Sequence, residues 1–310
     1  MNIGILGQPC IDEIILPNGE MGSRTPGGIL YSFAAIDRAI RERGAPDRWV
    51  AMTWHSLPDA DFLAPLYDAF TNMDRVSGKW PTSALTNRVR LVYHDEASRS
   101  ENCPSILPAL TPVELVTLDL ESFDAIFVNM ISGFDLGLET MEWLRSQTSA
   151  HIHLDIHALV LGDLSSDLGT SRSARGVTDW RRWLVAADSV QMNEMEAGVL
   201  ALPEVLDESQ LLTEATRLFK TAGRPRTLVI TRAERGASSF DLATGIQTDV
   251  TPKPKTVVNT TGSGDVFGAM YTYARAQGLP DPESLVRAER WAGWNTTLPS
   301  LGDILEAPLV

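Results

Sequence analysis

Residues Asn259 to Met270 read NTTGSGDVFGAM, a Gly-Ser-Gly turn followed by a carboxylate and then an apolar stretch that continues as a buried helix. Gly262 and Gly264 let the backbone turn tightly and bring N–H groups towards a ligand. The helix that follows adds its free first-turn donors and the positive end of its dipole. This is an arrangement for holding an anion. Asp265 is out of place there on electrostatic grounds alone, because a bound phosphate repels a carboxylate, so its value lies in chemistry. It can accept the proton of a hydroxyl attacking a phosphoryl group while the turn stabilises charge on the transferred oxygens. The helix N-terminus should keep Asp265 ionised and make it a weak base, which suits late proton transfer. An ordinary capped helix uses the same residue types, so the segment needs supporting partners elsewhere in the chain.

Three further islands fall where a strand should hand over to a turn or helix. Asp12 follows the opening strand, and Gly27-Gly28 precedes the helix that contains Ser32. Glycines there let a polar ligand lie against the backbone, and Asp12 can accept hydrogen bonds from the hydroxyls of a polyol. The alternative is a Gly-Gly turn and a surface carboxylate. In NEME, Asn193 and Glu196 stand one helical turn apart after a strand ending at Met192. They could hold a hydrated Mg²⁺, which keeps several waters and needs few protein carboxylates; the same pair is also a capping box. In TRAERG, Thr231 ends a strand and Gly236 precedes another, which alone signals a hairpin.

A fourth run, HIHLDIH, puts His151, His153, Asp155 and His157 on one face of a strand, as metal ligands could be. It is similar to the HxHxDH run of metallo-β-lactamase-like zinc hydrolases, but Ile156 intervenes where that pattern has His directly after Asp. The preferred reading is a buried strand whose polar end meets the active-site edge, with Asp155 near the phosphates.

The elements that must position these residues alternate along the chain. Asn2 to Leu6, Trp49 to Met52, Ala125 to Val128, Ile152 to Asp155, Ser189 to Met192 and Thr227 to Thr231 read as strands. Helical periodicity covers Ile29 to Arg43, Asp59 to Asn72, Leu138 to Gln147, Glu194 to Leu202 and Glu208 to Ala222. That alternation predicts an α/β fold, a mostly parallel sheet between helices with ligands beyond the carboxyl ends of its strands. Ile11 to Leu16 and Arg88 to Tyr93 lack partner helices and predict a small antiparallel flap or, failing that, edge strands of the main sheet. Leu161 to Asp179, rich in Ser, Gly, Asp and Arg, reads as a mobile surface loop.

Composition excludes several classes. The 310-residue chain carries a net charge of -14, which opposes general binding to nucleic acid or anionic membrane. The start MNIGILGQPCIDEI has no basic n-region, and no run approaches the ~20 apolar residues needed to span a bilayer, so the reading is cytoplasmic. Cys10 and Cys103 fit no CxxC spacing and read as buried thiols. Neither GxGxxG after the first strand nor GxxxxGK[ST] occurs, which argues against an NAD oxidoreductase and a Walker A kinase.

The islands come in one order: Gly27-Gly28, Asn193-x-x-Glu196, Thr231 to Gly236, then TTGSGD at Thr260 to Asp265. In this order the chain resembles the ribokinase-like, phosphofructokinase-B type family of carbohydrate and nucleoside kinases, from about Gly7 to Gly302. The resemblance implies a three-layer sandwich, a mostly parallel central sheet with helices on both faces, as a single domain over 1–310 with a small β flap or lid formed by about 11–25 and 86–103. It implies ATP and Mg²⁺ as cofactors and a small-molecule sugar or nucleoside as acceptor, with no nucleic acid or membrane partner. It also admits a homodimer through the lid. It assigns Asp265 as catalytic base and Gly262, Ser263 and Gly264 as anion hole. Asn193, Glu196, Thr231, Gly236, Thr261 and Asn295 fall to the nucleotide and its Mg²⁺, with Glu196 reaching the metal through water. Asp12, Gly27, Gly28, Ser32 and Asn129 fall to the acceptor. The chain departs from the family at Ser32 and Asn259, where Asn and Asp are usual, and at Ala233 and Ser263, where Gly and Ala are common. Asn259 lacks the charge that often serves an activating monovalent cation. A nucleoside kinase and a catalytically silent nucleotide-binding protein are the alternatives within the same fold.

Overall fold

The computed structural model describes residues 1–94, 99–162, 172–253 and 255–308. The chain opens with β1 (Asn2–Leu6), β2 (Pro9–Ile15), β3 (Met21–Gly28), α1 (Leu30–Arg43), β4 (Arg48–Ser56), α2 (Ala60–Ala69), β5 (Lys79–Thr82), β6 (Asn87–Tyr93) and β7 (Arg99–Ser105). It continues through α3 (Pro112–Leu115), β8 (Ala125–Asn129), α4 (Leu138–Ser146), β9 (His151–Asp155), α5 (Trp180–Val185), β10 (Ser189–Asn193), α6 (Glu194–Val199) and α7 (Glu208–Ala222). It closes with β11 (Thr227–Thr231), β12 (Ala237–Asp241), β13 (Ile246–Val250), α8 (Ser263–Ala276), α9 (Asp281–Asn295) and α10 (Leu301–Glu306).

Nine strands form one sheet in the order β13-β12-β11-β10-β9-β8-β1-β4-β5. From β11 to β5 every neighbouring pair is parallel, and β12 and β13 add an antiparallel hairpin at one edge. The inner strands are apolar on both faces because both faces are covered. Ile3, Ile5 and Phe127 point into a core with α1, α8, α9 and α10, whereas Leu6, Ile126, Val128 and Leu154 point into a second core with α4, α5 and α7. This is the mostly parallel, helix-covered sheet that the alternation predicts. All parallel strands run the same way, so Asn129, Asp155, Asn193 and Thr231, at the ends of β8, β9, β10 and β11, reach one carboxyl edge.

The second sheet has the order β3-β2-β6-β7. Antiparallel pairing was expected, but β2 and β6 run parallel, between antiparallel pairs β2–β3 and β6–β7. The reason lies in β3 (MGSRTPGG) and β7 (RSENCPS), which add strands with no apolar alternation to reveal them. Residues 95–98 of the expected lid lie outside the described residues. So do residues 163–171 of the expected mobile loop. The described flanks of that loop are tied down: Leu161 bridges Ala174, and the Arg172 guanidinium donates to the Ser132 carbonyl at 2.8 Å. Among the described residues no helix is long and apolar enough to cross a membrane.

Candidate active site

The turn before α8 is held from three sides. Asn259 Oδ1 accepts from the Thr261 N–H at 2.9 Å, Asn295 donates its amide to the Thr261 carbonyl at 3.0 Å, and the Ser263 hydroxyl donates to the Thr260 carbonyl at 2.9 Å. Gly262 sits at φ +75°, a left-handed conformation, and a Cβ there would overlap the ring of Tyr31. Glycine is required at that position on both counts. A Cβ on Gly264 would meet nothing within 4 Å, so the turn opens onto free space where an anion can sit against first-turn N–H groups.

Asp265 follows on α8 and its side chain turns inward, leaving the residue 7% exposed. Its Oδ1 accepts from Asn129 Nδ2 at 2.7 Å and lies 3.7 Å from His157 Nε2. No hydrogen bond engages Oδ2 among the described residues. Burial pushes the Asp265 carboxyl above the ordinary carboxylate range, against the opposing pull of His157 and Asn129. This corrects the sequence expectation of a weak base: desolvation outweighs the helix terminus, and Asp265 holds a proton more readily than a surface aspartate. Asn129 is fully buried, and with its amide nitrogen committed to Asp265 its Oδ1 is left without a partner.

Behind the turn, Gln191 donates to Asp155 Oδ2 at 3.0 Å and to the Gly264 carbonyl at 3.1 Å, locking α8 to β9 and β10. Ser32 is also fully buried and donates to the Asp265 carbonyl at 3.1 Å. It braces α1 against α8, which is a different task from the acceptor contact expected of it. Asn193 and Glu196 form a complete capping box at the start of α6: Glu196 Oε2 accepts from the Asn193 N–H and Oε1 from its amide, both at 2.7 Å. Each carboxylate oxygen keeps a second lone-pair direction for water. Burial raises the pKa of Glu196, as it does that of Asp155, whose carboxyl is raised further by Glu196 and Asp265. Thr231 ends β11, and Gly236 (φ +92°) lets the β11–β12 hairpin close, since a Cβ there would overlap the Val250 carbonyl.

On the other side of Asp265 the small sheet contributes Asp12 from β2 and Gly27-Gly28 from β3. Asp12 lies close over Gly27, where any Cβ would overlap its carboxylate, and Cys10 Sγ donates to Asp12 Oδ1 at 3.2 Å. Burial raises the Asp12 carboxyl to about 6, with Glu101 and Asp265 adding to the rise and the Cys10 contact opposing it. Arg88 and Arg90 on β6 are committed to Asp59 and Glu13, each at 2.6 Å.

The histidine run does not assemble a metal site. His153 is fully buried, its ring stacked on Phe127 and tilted against Tyr271, with its nitrogens facing Ser189 and Gln191. His151 also faces Ser189. No group of three or more His, Cys, Asp or Glu is placed to hold a metal ion among the described residues.

Residues 168–308 match the family described as pfkB family carbohydrate kinase. The C-terminal part of the chain, with most of the residues around the turn before α8, therefore resembles pfkB-type carbohydrate kinases. That match indicates a phosphotransferase that acts on hydroxyl groups. The kinase superposes on ribokinase from Thermotoga maritima with a TM-score of 0.71 at 15% identity, covering 97% of each chain. Ribokinase from Arabidopsis thaliana, complexed with ribose and ATP, matches with a TM-score of 0.70 at 12% identity over 99% of each chain. A pyrophosphate-dependent kinase of the ribokinase family, complexed with a pyrophosphate analogue and myo-inositol, matches with a TM-score of 0.71 at 16% identity, over 100% of this chain and 97% of that one. At such identities the likeness is one of fold. No curated protein sequence matches the chain. The family match includes Asn193, Glu196, Thr231, Gly236, Gly262–Asp265 and Asn295, whereas Asp12, Gly27, Gly28 and Asn129 lie outside it.

Sequence reasoning missed two residues that shape this edge, Tyr31 and Gln191, and named His157 only as a candidate metal ligand. Tyr31 lies three residues after Gly28, and the signal that could have found it is a bulky ring where the helix must approach a glycine turn.

Proposed function

We propose that this kinase transfers the γ-phosphoryl group of Mg·ATP to a hydroxyl of a sugar or sugar-like polyol at the carboxyl edge of the sheet. The observation that carries the reading is the pairing at Asp265. Its carboxylate is buried and oriented through Oδ1, with Oδ2 unengaged, beside a glycine turn that opens onto free space. The acceptor O–H gives its proton to Asp265 as its oxygen bonds to phosphorus, and the bond from phosphorus to the bridging oxygen of ADP breaks in line with that attack. The turn from Gly262 to Gly264, with the Ser263 backbone between them, donates to the oxygens in flight. The unpartnered Asn129 Oδ1 and the carboxylate of Asp12 accept from further acceptor hydroxyls, which favours a polyol over a ligand with a single hydroxyl.

On the donor side, Thr231, Gly236, Thr261 and Asn295 border the nucleotide. Asn193 and Glu196 would hold the waters of Mg²⁺; an all-oxygen donor set of buried carboxylates suits a hard, hydrated cation. When bound, Mg²⁺ neutralises charge on the donor phosphates. The small sheet would close over the acceptor as the lid of a single kinase domain, excluding water and limiting ATP hydrolysis. ATP as donor fits a cytoplasmic enzyme.

The test is a panel of sugars, inositols, sugar acids and nucleosides assayed for phosphoryl transfer with Mg·ATP and, in parallel, with Mg·pyrophosphate, the second donor being prompted by the relative that depends on it. Turnover of a polyol with release of ADP supports the proposal. Turnover with pyrophosphate alone overturns the donor assignment, and silence across the panel despite ATP binding favours a non-catalytic protein.

A further inference from the structure

His157 takes no part in the reaction as written above, yet its geometry is unusual. It follows β9 and has φ +39°, in the left-handed region that few residues other than glycine adopt. The neighbouring peptides are held on both sides. The Ile156 N–H donates to the Gln191 carbonyl at 3.0 Å, and the Ala158 N–H donates to the Met130 carbonyl at 3.0 Å. Gly133 approaches Ala158 so closely that a Cβ would overlap its carbonyl. The clamp turns the imidazole towards Asp265, with Nε2 3.7 Å from Oδ1. The His157 side chain is 39% exposed whereas Asp265 is buried, so the ring links the buried carboxylate to solvent-accessible surface. Its neighbour in the run, His153, has both ring nitrogens engaged inside the sheet and serves packing.

We propose that His157 is a positioning residue of the phosphoryl transfer: its imidazole and the Asn129 amide both engage Oδ1 of Asp265 and so leave Oδ2 aimed at the acceptor hydroxyl. The inference rests on the reading of Asp265 as the base. The charged groups around the imidazole come from four elements: Asp265 on α8, Glu196 on α6, Asp155 at the end of β9 and Asp135 in the segment after β8. All four are acids and burial raises each of them, so the imidazole is the basic member of an acidic cluster. His157 opposes the rise at Asp265, at Glu196 and at Asp135.

The test uses His157→Asn and His157→Gly, because Asn and Gly both tolerate positive φ and keep the clamped backbone. With the acceptor that the panel identifies, both variants should lose about tenfold or more in kcat, with ADP binding unchanged. The acid limb of their kcat/KM profiles should move up by about one pH unit, since an opposite charge within ~4–6 Å holds a carboxyl down by about that much or more. A carboxyl-detected NMR titration of Asp265 in the wild type and in His157→Asn should show the same upward shift without any substrate. Wild-type kcat, acid limb and Asp265 titration in both variants, alongside an inactive Asp265→Asn, would overturn the role of His157 and leave the base reading intact. An active Asp265→Asn would overturn both.

Discussion

Asn129 Nδ2 donates to Asp265 Oδ1 at 2.7 Å, joining the end of β8 to the first turn of α8 across 136 residues of sequence. The bond orients the carboxylate and leaves a buried carbonyl oxygen on the same amide without a hydrogen-bond partner among the described residues. Asn129→Leu removes both functions. Turnover should fall roughly 10- to 100-fold, the range expected for losing a hydrogen bond to a charged group. Steady-state kinetics on the folded variant check this, and unchanged kcat and KM would remove Asn129 from the site.

The two glycines of the turn before α8 should respond differently to a single methyl group. Gly262→Ala meets the Tyr31 ring and a φ of +75°, so it should lower the melting temperature; the left-handed backbone alone costs about 1–2 kcal/mol. Gly264→Ala meets open space, so the fold should hold or gain up to ~1 kcal/mol, while ATP affinity drops because the methyl occupies the anion's place. Calorimetry and ATP titration separate the two effects. Equal affinity for ATP in Gly264→Ala would mean that the turn holds no phosphate.

Asp12 carries a carboxyl that burial raises to about 6. A carboxyl raised in the folded state favours folding most below its unfolded pKa of ~4, and that contribution is lost as pH rises through about 6. Asp12→Asn removes the ionisation, so relative to the wild type it should be stabilised above about pH 6, with the difference shrinking towards ~pH 4. Acceptor KM in the wild type should rise as pH falls through about 6, because protonated Asp12 accepts fewer hydroxyl hydrogen bonds. Melting curves and KM measured across this range test both statements; curves that run parallel at every pH would contradict them.

Asn259 spends its carbonyl oxygen on the Thr261 N–H and its amide on the Pro299 carbonyl, as a neutral brace of the turn. Activity should therefore be the same in choline chloride as in KCl, and strong activation by K⁺ would contradict this.

How much of this was legible in the sequence depended on where the information lay. The parallel sheet could be read because its inner strands are apolar runs bounded by turns, and the glycine turn at the start of α8 because Gly262, Gly264 and Asp265 precede an apolar helical stretch. The strands β3 and β7 could not: their pairing is carried by backbone hydrogen bonds and their side chains are largely polar. α9 was missed because its buried face is built largely from Ser284, Ala288 and two tryptophans, with Leu285 as its one aliphatic anchor of size. Ser32 was assigned to the acceptor by family position, and only packing against α8 reveals its bond to the Asp265 carbonyl. The His157–Asp265 proximity joins a strand end to a distant helix and has no local signature; alternation along β9 suggested metal ligands instead.

The central claim is that Asp265 takes the acceptor's proton, and Asp265→Asn tests it most directly. The substitution keeps the shape of the side chain, so ATP binding should be retained while turnover falls on the order of 10³-fold or more. Near-normal turnover in a variant that binds ATP as the wild type does would contradict the account.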